Sequence, residues 1–415
     1  MRATGIIAEY NPFHNGHAYH AAQARARSDA DVVIAVMSGH IMQRGEIAII
    51  DKWQRAKIAV SAGVDLVLEL PTVFAARSAQ YFATGGVQLL HRLGIVGHLS
   101  FGAEEANPDL LQMAAEALDN QSVIARLKQN LKDGKPYAAA MADALVSHSF
   151  TTDNLIKSPN NILAIEYLRA IKNYAPYMSA LPIRRIGSHY HDTAMSGKFS
   201  SATALRHALR QSIIPPADAL NALPDFARQN IQDLFASGWA PTNPSYLDPA
   251  ILSRIRRLPD EQLQSIPELS EGLENRLRKA ADQAGTVTDL LMLLKSKRYP
   301  YSRLQRILAH LLLETTSSQL AEFDAVGPLY ARVLALNSRG QKALRIISRH
   351  ADIPIITKTT KFLNVRTYHN DILPLPQAML AVDVTATNLF TLCLPKPDNR
   401  KGGLDFCRSA FHLSE

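Results

Sequence analysis

The sequence is nearly devoid of cysteine: Cys393 and Cys407 are the only two in 415 residues. That is too few for a disulfide framework, and they do not form a metal-type pair. No apolar run approaches the ~20 residues needed to span a bilayer. A signal-peptide pattern is also missing, because a strand-like segment begins almost at Met1. Internal repeats and low-complexity stretches are absent too. Together these absences exclude disulfide-stapled, membrane-spanning and repeat architectures, and they make a cytoplasmic enzyme the expected class. The chain is too long for one ordinary core, so two or three domains are expected. A formal charge of +8 and a pI near 9.4 favour a polyanionic partner, although many basic proteins bind no nucleic acid.

What is present is a strand–helix alternation in the first third. Residues 5–8, 31–37, 64–70 and 97–102 are short apolar runs bounded by turn residues, and 52–62 and 78–93 between them are helical in pattern. Residues 181–186 look like the last strand. This alternation predicts an α/β fold with a Rossmann-like parallel sheet covered on both faces. Ligands in such sheets bind beyond the carboxyl ends of the strands. His14, His17, residues 38–40 and Gly102 follow strands and are expected to converge on one crevice. Residues 106–150 read as an alanine-rich helical insertion.

The sharpest local signal is His14-Asn15-Gly16-His17, where the first strand turns into the first helix. Free backbone N–H groups and the positive end of the helix dipole suit an anion there. Gly16 has no Cβ, so a ligand can lie close to the backbone. Two imidazoles add donors for phosphate oxygens. The arrangement resembles the His-x-Gly-His signature of the nucleotidyltransferase superfamily. A second helix opens at residues 200–206 with Ser201 and Thr203 in its first turn and Arg206 a turn further on. Those hydroxyls could serve only as helix caps. Equally, they and the arginine fork could hold a triphosphate from the far side. This stretch resembles the Ser-Ser-Thr-x-x-Arg element that accompanies His-x-Gly-His, with Ala202 in place of one polar residue. Residues 1–210 are therefore expected to form an ATP-binding, nucleotidyltransferase-like domain.

Residues 211–415 are organised differently. Pro215-Pro216 and the Pro/Asn-rich stretch 240–249 mark linkers, and apolar residues then recur at helical spacing, predicting a mainly helical C-terminal domain. Its basic residues include Arg254, Arg256, Arg257, Arg276, Arg278, Lys279 and Arg306, with a cluster at Lys295, Lys297, Arg298 and Arg303. Tyr299 and Tyr301 lie within that cluster, so cations could follow phosphates while rings stack on unpaired bases. A small strand–helix–strand element is expected over about 330–362.

Five segments carry a closer resemblance: residues 5–17 (GIIAEYNPFHNGH), 37–46 (MSGHIMQRGE), 63–71 (GVDLVLELP), 159–161 (PNN) and 190–192 (YHD). They resemble the bacterial tRNA(Met) cytidine acetate ligase family across essentially the whole chain. That resemblance implies a definite reaction. ATP and acetate form acetyl-adenylate, and the acetyl group passes to N4 of the wobble cytidine of elongator tRNA(Met). It also implies ATP contacts along Ile7, Ala8, Glu9, Tyr10, Asn11, Pro12, Phe13, His14, Asn15, Gly16, His17, Ala18, Tyr19 and His20. Further contacts are implied at Gly102, at Asn160 or Asn161 with Asn161 preferred, and at Arg185. His14 and His17 are the expected catalytic residues. Mg2+ is expected to bridge phosphates without a dedicated protein cage. His40, Glu46 and His191 are candidates for a base beside the acceptor amine. The competing readings are an adenylyltransferase for a small phosphorylated metabolite and a non-catalytic ATP-sensing RNA-binding protein.

Overall fold

The computed structural model describes residues 1–133, 135, 137–146, 155, 158–186, 195, 197–270, 272–370 and 372–414. Five strands make up the first part of the sheet: β1 (Ala3–Ala8), β2 (Val32–Ser38), β3 (Leu66–Leu70), β4 (Val96–Ala103) and β5 (Ser179–Arg184). They lie parallel in the order β5-β4-β1-β2-β3. Successive side chains alternate between faces. Ile6, Val33, Ala35 and Val67 share a core with α1 (Asn15–Ser28) and α2 (Lys52–Ser61). Ile7, Ile34, Val36, Leu66 and Leu68 pack on the other face with α3 (Thr72–Ala75) and α4 (Ala79–Arg92). Both faces are covered, so central strands can be apolar throughout.

The helical segment expected over 106–150 is present between β4 and β5 as α5 (Pro108–Ala117), α6 (Gln121–Lys132) and α7 (Tyr137–Val146). It is followed by α8 (Pro159–Tyr174), whose Ala164, Ile165 and Tyr167 join the core under α4. After β5 comes α9 (Ala202–Arg210), capped by Ser201, whose side chain accepts the Ala204 N–H.

The expected strand–helix–strand element near 330–362 exists, but not as an appendage of the helical region. β6 (Ala331–Leu336) pairs antiparallel with β3, and β7 (Ile355–Ile356) and β8 (Phe411–His412) both pair parallel with β6. The outer edge of β3 would otherwise stay open, and an apolar open edge invites aggregation. β6 closes it with six buried residues. The C-terminal half thus completes the sheet begun by the first.

Between α9 and β6 the chain is helical. Leu247, Ile251, Leu273, Leu277, Leu290 and Leu308 build a third core, which also encloses Met42, Ile47 and Ala48 from the connection between β2 and α2. Gly45 makes that junction possible. Its φ of +82° is left-handed, and a Cβ there would meet the Arg306 backbone nitrogen at 2.6 Å. Among the described residues, no helix is long and apolar enough to cross a membrane.

Candidate active site

The chain runs from β1 through β2 to β3, then returns to lay β4 on the opposite side of β1. That reversal opens a crevice at the carboxyl ends of β1 and β4, where a sheet of this topology binds ligands. Most of the residues expected from the sequence line it: Ile7, Ala8, Glu9, Tyr10, Asn11, His14, Gly16, His17, Tyr19, His20, Gly102, Asn160, Arg185, Ser201, Thr203 and Arg206.

The two histidines of the motif form the N-terminal cap of α1. His14 Nδ1 accepts the Gly16 N–H at 3.1 Å, and His17 Nδ1 accepts the His14 N–H at 3.2 Å. Their rings stack with centroids 3.8 Å apart. Burial, reinforced by the nearby Arg185 and Arg206 cations, lowers the His14 pKa to about 3. His17 is held well below its ordinary value by burial and by His14 and Arg185. Both rings are therefore neutral at physiological pH. With each Nδ1 accepting, each Nε2 must carry the proton, so two N–H donors remain. A Cβ on Gly16 would sit 2.9 Å from His14 Cε1, so the cap needs glycine there. Deeper in, His20 Nε2 is 2.9 Å from Ser100 Oγ, and burial with Arg185 lowers its pKa to about 4.

The second helix N-terminus faces the first. Arg206 Nη1 donates to the Asn11 carbonyl at 2.9 Å, tying α9 to the turn that precedes α1. Its Nη2 reaches Thr203 Oγ1 at 3.4 Å, and its Nε lies 3.5 Å from Glu46 Oε2. On the β4 side, Arg185 Nε is 3.5 Å from Glu104 Oε1, which also accepts Asn160 Nδ2 at 2.6 Å. Glu9 Oε1 accepts the Gln43 N–H at 2.6 Å, and burial raises the Glu9 pKa. The crevice is thus ringed by the positive dipole ends of two helices, neutral imidazole donors and guanidinium groups, a set matched to a polyphosphate.

Several expectations are corrected. Asn161, preferred over Asn160, is 1% exposed and does not reach the crevice. Its Oδ1 accepts the Glu104 and Glu105 N–H groups, pinning the loop after β4, while Asn160 lines the crevice. Pro12, Phe13, Asn15 and Ala18 support the site without lining it. Phe13 is fully buried beneath Tyr10 and His17, and Asn15 Nδ2 donates to the Lys198 and Asn221 carbonyls. His40 does not converge on the crevice. It is fully buried against Phe390, its Nε2 accepts the first N–H of α2 from Lys52, and its Nδ1 meets Thr387 Oγ1. With both ring nitrogens engaged, it is no base. His191, with Tyr190 and Asp192, lies outside the described residues. Sequence reasoning missed Gln43 and Arg44 as crevice residues. Their position in the loop after β2, at the ligand-binding end of the sheet, was the available signal.

The basic region is also partly structural. Arg256 caps the Ala281 and Ala284 carbonyls, Arg278 caps Leu258, Arg303 donates to the Glu268 carbonyl, and Arg306 pairs with Glu268 at 2.6 Å. Tyr299 is 3% exposed with the Arg276 and Arg303 guanidiniums near its ring, so it is not presented to a base. Lys295, Lys297, Arg298 and Tyr301 are exposed.

The switch-point crevice and the histidine cap over paired helix ends define a nucleotidyltransferase of the His-x-Gly-His class. The chain matches the family model described as HIGH Nucleotidyl Transferase over residues 1–405. It is 38% identical over 419 residues to the tRNA(Met) cytidine acetate ligase of Acetivibrio thermocellus, covering 99% of each chain. To the enzyme of that name from Halothermothrix orenii it is 36% identical, covering 98% of each. The crystal structure of Thermotoga maritima TmcAL bound with alpha-thio ATP superposes with a TM-score of 0.90 at 32% identity, covering both chains completely. The apo form of that protein gives 0.92 at the same identity and coverage. The chain belongs to the tRNA(Met) cytidine acetate ligase family.

Proposed function

We propose that the protein activates acetate with ATP and acetylates N4 of the wobble cytidine of elongator tRNA(Met). The observation that carries this reading is the pair of facing helix ends, joined by Arg206, at the sheet's switch point. An acetate oxygen attacks the α-phosphorus, the bond from that phosphorus to the bridging oxygen breaks, and pyrophosphate leaves. No protein nucleophile is needed. Charge that grows on the phosphoryl oxygens meets the Nε2–H groups of His14 and His17, the positive end of the α1 dipole and Arg206, which are already in place.

In the second step the cytosine amine attacks the acetyl carbonyl and AMP leaves. Its lone pair is delocalised into the ring, so only an activated acyl donor serves. An anticodon loop is single-stranded, so the base is reachable without opening a duplex. Lys295, Lys297 and Arg298 are proposed to follow the RNA backbone, with the first 210 residues activating acetate and the remainder selecting the tRNA. Among the described residues, no three His, Cys, Asp or Glu side chains gather as a metal site. Mg2+ is proposed to accompany the nucleotide, where it would neutralise phosphate charge. The proposed compartment is the cytoplasm.

Exchange of labelled pyrophosphate into ATP tests the first step. It should require acetate and fall by roughly 100-fold in His17→Ala, the order lost when one oxyanion donor is removed. Exchange that proceeds equally well without acetate contradicts the reading.

A further inference from the structure

The nucleotide crevice is lined by cations and neutral donors, with one exception. Among the described residues that line it, Glu9 is the only carboxylate. A negative charge there repels both the polyphosphate and acetate. Neither phosphate binding nor attack by acetate accounts for it.

Glu9 is held from two sides. It directly follows β1, and its carbonyl accepts Arg55 Nη1 at 2.6 Å. Its Oε1 accepts the Gln43 N–H at 2.6 Å, and the Gln43 side chain is itself anchored on the Arg77 carbonyl at 2.8 Å. Oε2 accepts no hydrogen bond among the described residues. It is not sealed away, because the residue is only half-buried and lines the crevice. One carboxylate oxygen is therefore fixed and the other is left for a ligand that donates.

The surroundings suit a base. Burial raises the Glu9 pKa, opposed by the Gln43 N–H and the Arg206 cation; Glu46 raises it and Arg44 lowers it. Tyr167, buried with its ring 5.5 Å from that of Phe101, is a neutral phenol whose pKa burial and the Glu9 charge push up. Buried Arg55 is the remaining charged neighbour. Raising a carboxyl toward the working pH makes its ionised form a better proton acceptor. The other candidates fall away. His14 and His17 present N–H donors to the ligand. His20 Nε2 is engaged by Ser100, and a pKa of about 4 makes its ring a weak base. Glu46 pairs with Arg206 and does not line the crevice.

We infer that Glu9 is the catalytic base of acetyl transfer and receives the exocyclic amine of the acceptor cytosine. The inference rests on the proposed function. An ionised carboxylate only accepts hydrogen bonds, so it holds one amine N–H while N4 attacks. Uracil carries a carbonyl at that position, which would meet carboxylate lone pairs, so it is rejected. On transfer the bond from N4 to the acetyl carbon forms, and the bond from that carbon to the phosphate oxygen breaks. The electron pair leaves with AMP. The N4 proton passes to Glu9 Oε2 and then to water.

Transfer is read alone when acetyl-adenylate and an elongator tRNA(Met) transcript are supplied to the protein in a single turnover. Glu9→Gln keeps an oxygen for the Gln43 N–H, so the loop after β2 retains its anchor. It should slow N4-acetylcytidine formation by roughly 100-fold, the low end of what a general base contributes. Acetate-dependent pyrophosphate exchange should be far less affected. Wild-type transfer should rise with pH as the carboxyl ionises and then level. That rise should vanish in Glu9→Gln and persist, at a lower rate, in Glu9→Asp. Equal loss of exchange and transfer in Glu9→Gln would show the carboxylate serving the nucleotide, and it overturns the inference, as does unimpaired transfer. Wild-type protein lacking acetate-dependent exchange would instead defeat the proposed function itself.

Discussion

His14 and His17 divide their work between the two nitrogens of each ring. Nδ1 closes the cap of α1, and Nε2–H remains for the ligand. This division holds only while both rings are neutral, and the fold keeps them so. The folded pKa values of His14 and His20 are depressed to about 3 and about 4, against 6.5 for the free side chain. The unfolded chain takes up these protons first. The stabilising contribution is therefore complete above 6.5 and is lost as pH falls toward about 4 for His20 and about 3 for His14. Urea midpoints should decline across that window, and His20→Asn should flatten the decline. A pH-independent midpoint contradicts the assignment. The motif was legible because its spacing coincides with a strand-to-helix turn. Asn161, His40 and Tyr299 were misread for one reason: each carries the residue type the chemistry wants, and only tertiary packing reveals that its polar atoms or ring face are already taken.

At the scale of elements, β1 to β5 were readable as apolar runs closed by turn residues, and their ends came within a few residues of the observed ones. The partner of β6 was not readable. Its antiparallel pairing joins Leu66 to Leu336, and nothing local to either strand encodes a partner that far away. The junction between the loop after β2 and helix Tyr301–Leu313 was equally silent, although Gly45 is its condition. Comparison with Gly63 separates conformation from contact. Gly63 also has positive φ, +100°, but nothing lies within 4 Å of its Cβ position. Gly63→Ala should cost about 1 kcal/mol for the backbone alone. Gly45→Ala adds a collision with helix backbone and should cost on the order of 3 kcal/mol. Chemical denaturation of both variants checks the difference, and equal costs would show that the loop yields.

Across the whole molecule, the two halves are locked by charge as well as by strands. Lys52 Nζ binds Glu69 at 2.7 Å and Asp405 at 2.9 Å, and Arg332 Nη1 reaches the same two carboxylates. All four side chains are at most 3% exposed. Removing one partner strands buried charge. Asp405→Ala should therefore destabilise the fold by about 3–5 kcal/mol, whereas simultaneous apolar replacement of the network should cost far less. Denaturant titration of both variants decides this.

The most direct measurement is nucleoside analysis of unfractionated tRNA after incubation with the protein, ATP and labelled acetate. The account predicts labelled N4-acetylcytidine, confined to elongator tRNA(Met) and dependent on both ATP and acetate. Unlabelled tRNA, under conditions in which the protein binds ATP, would contradict it.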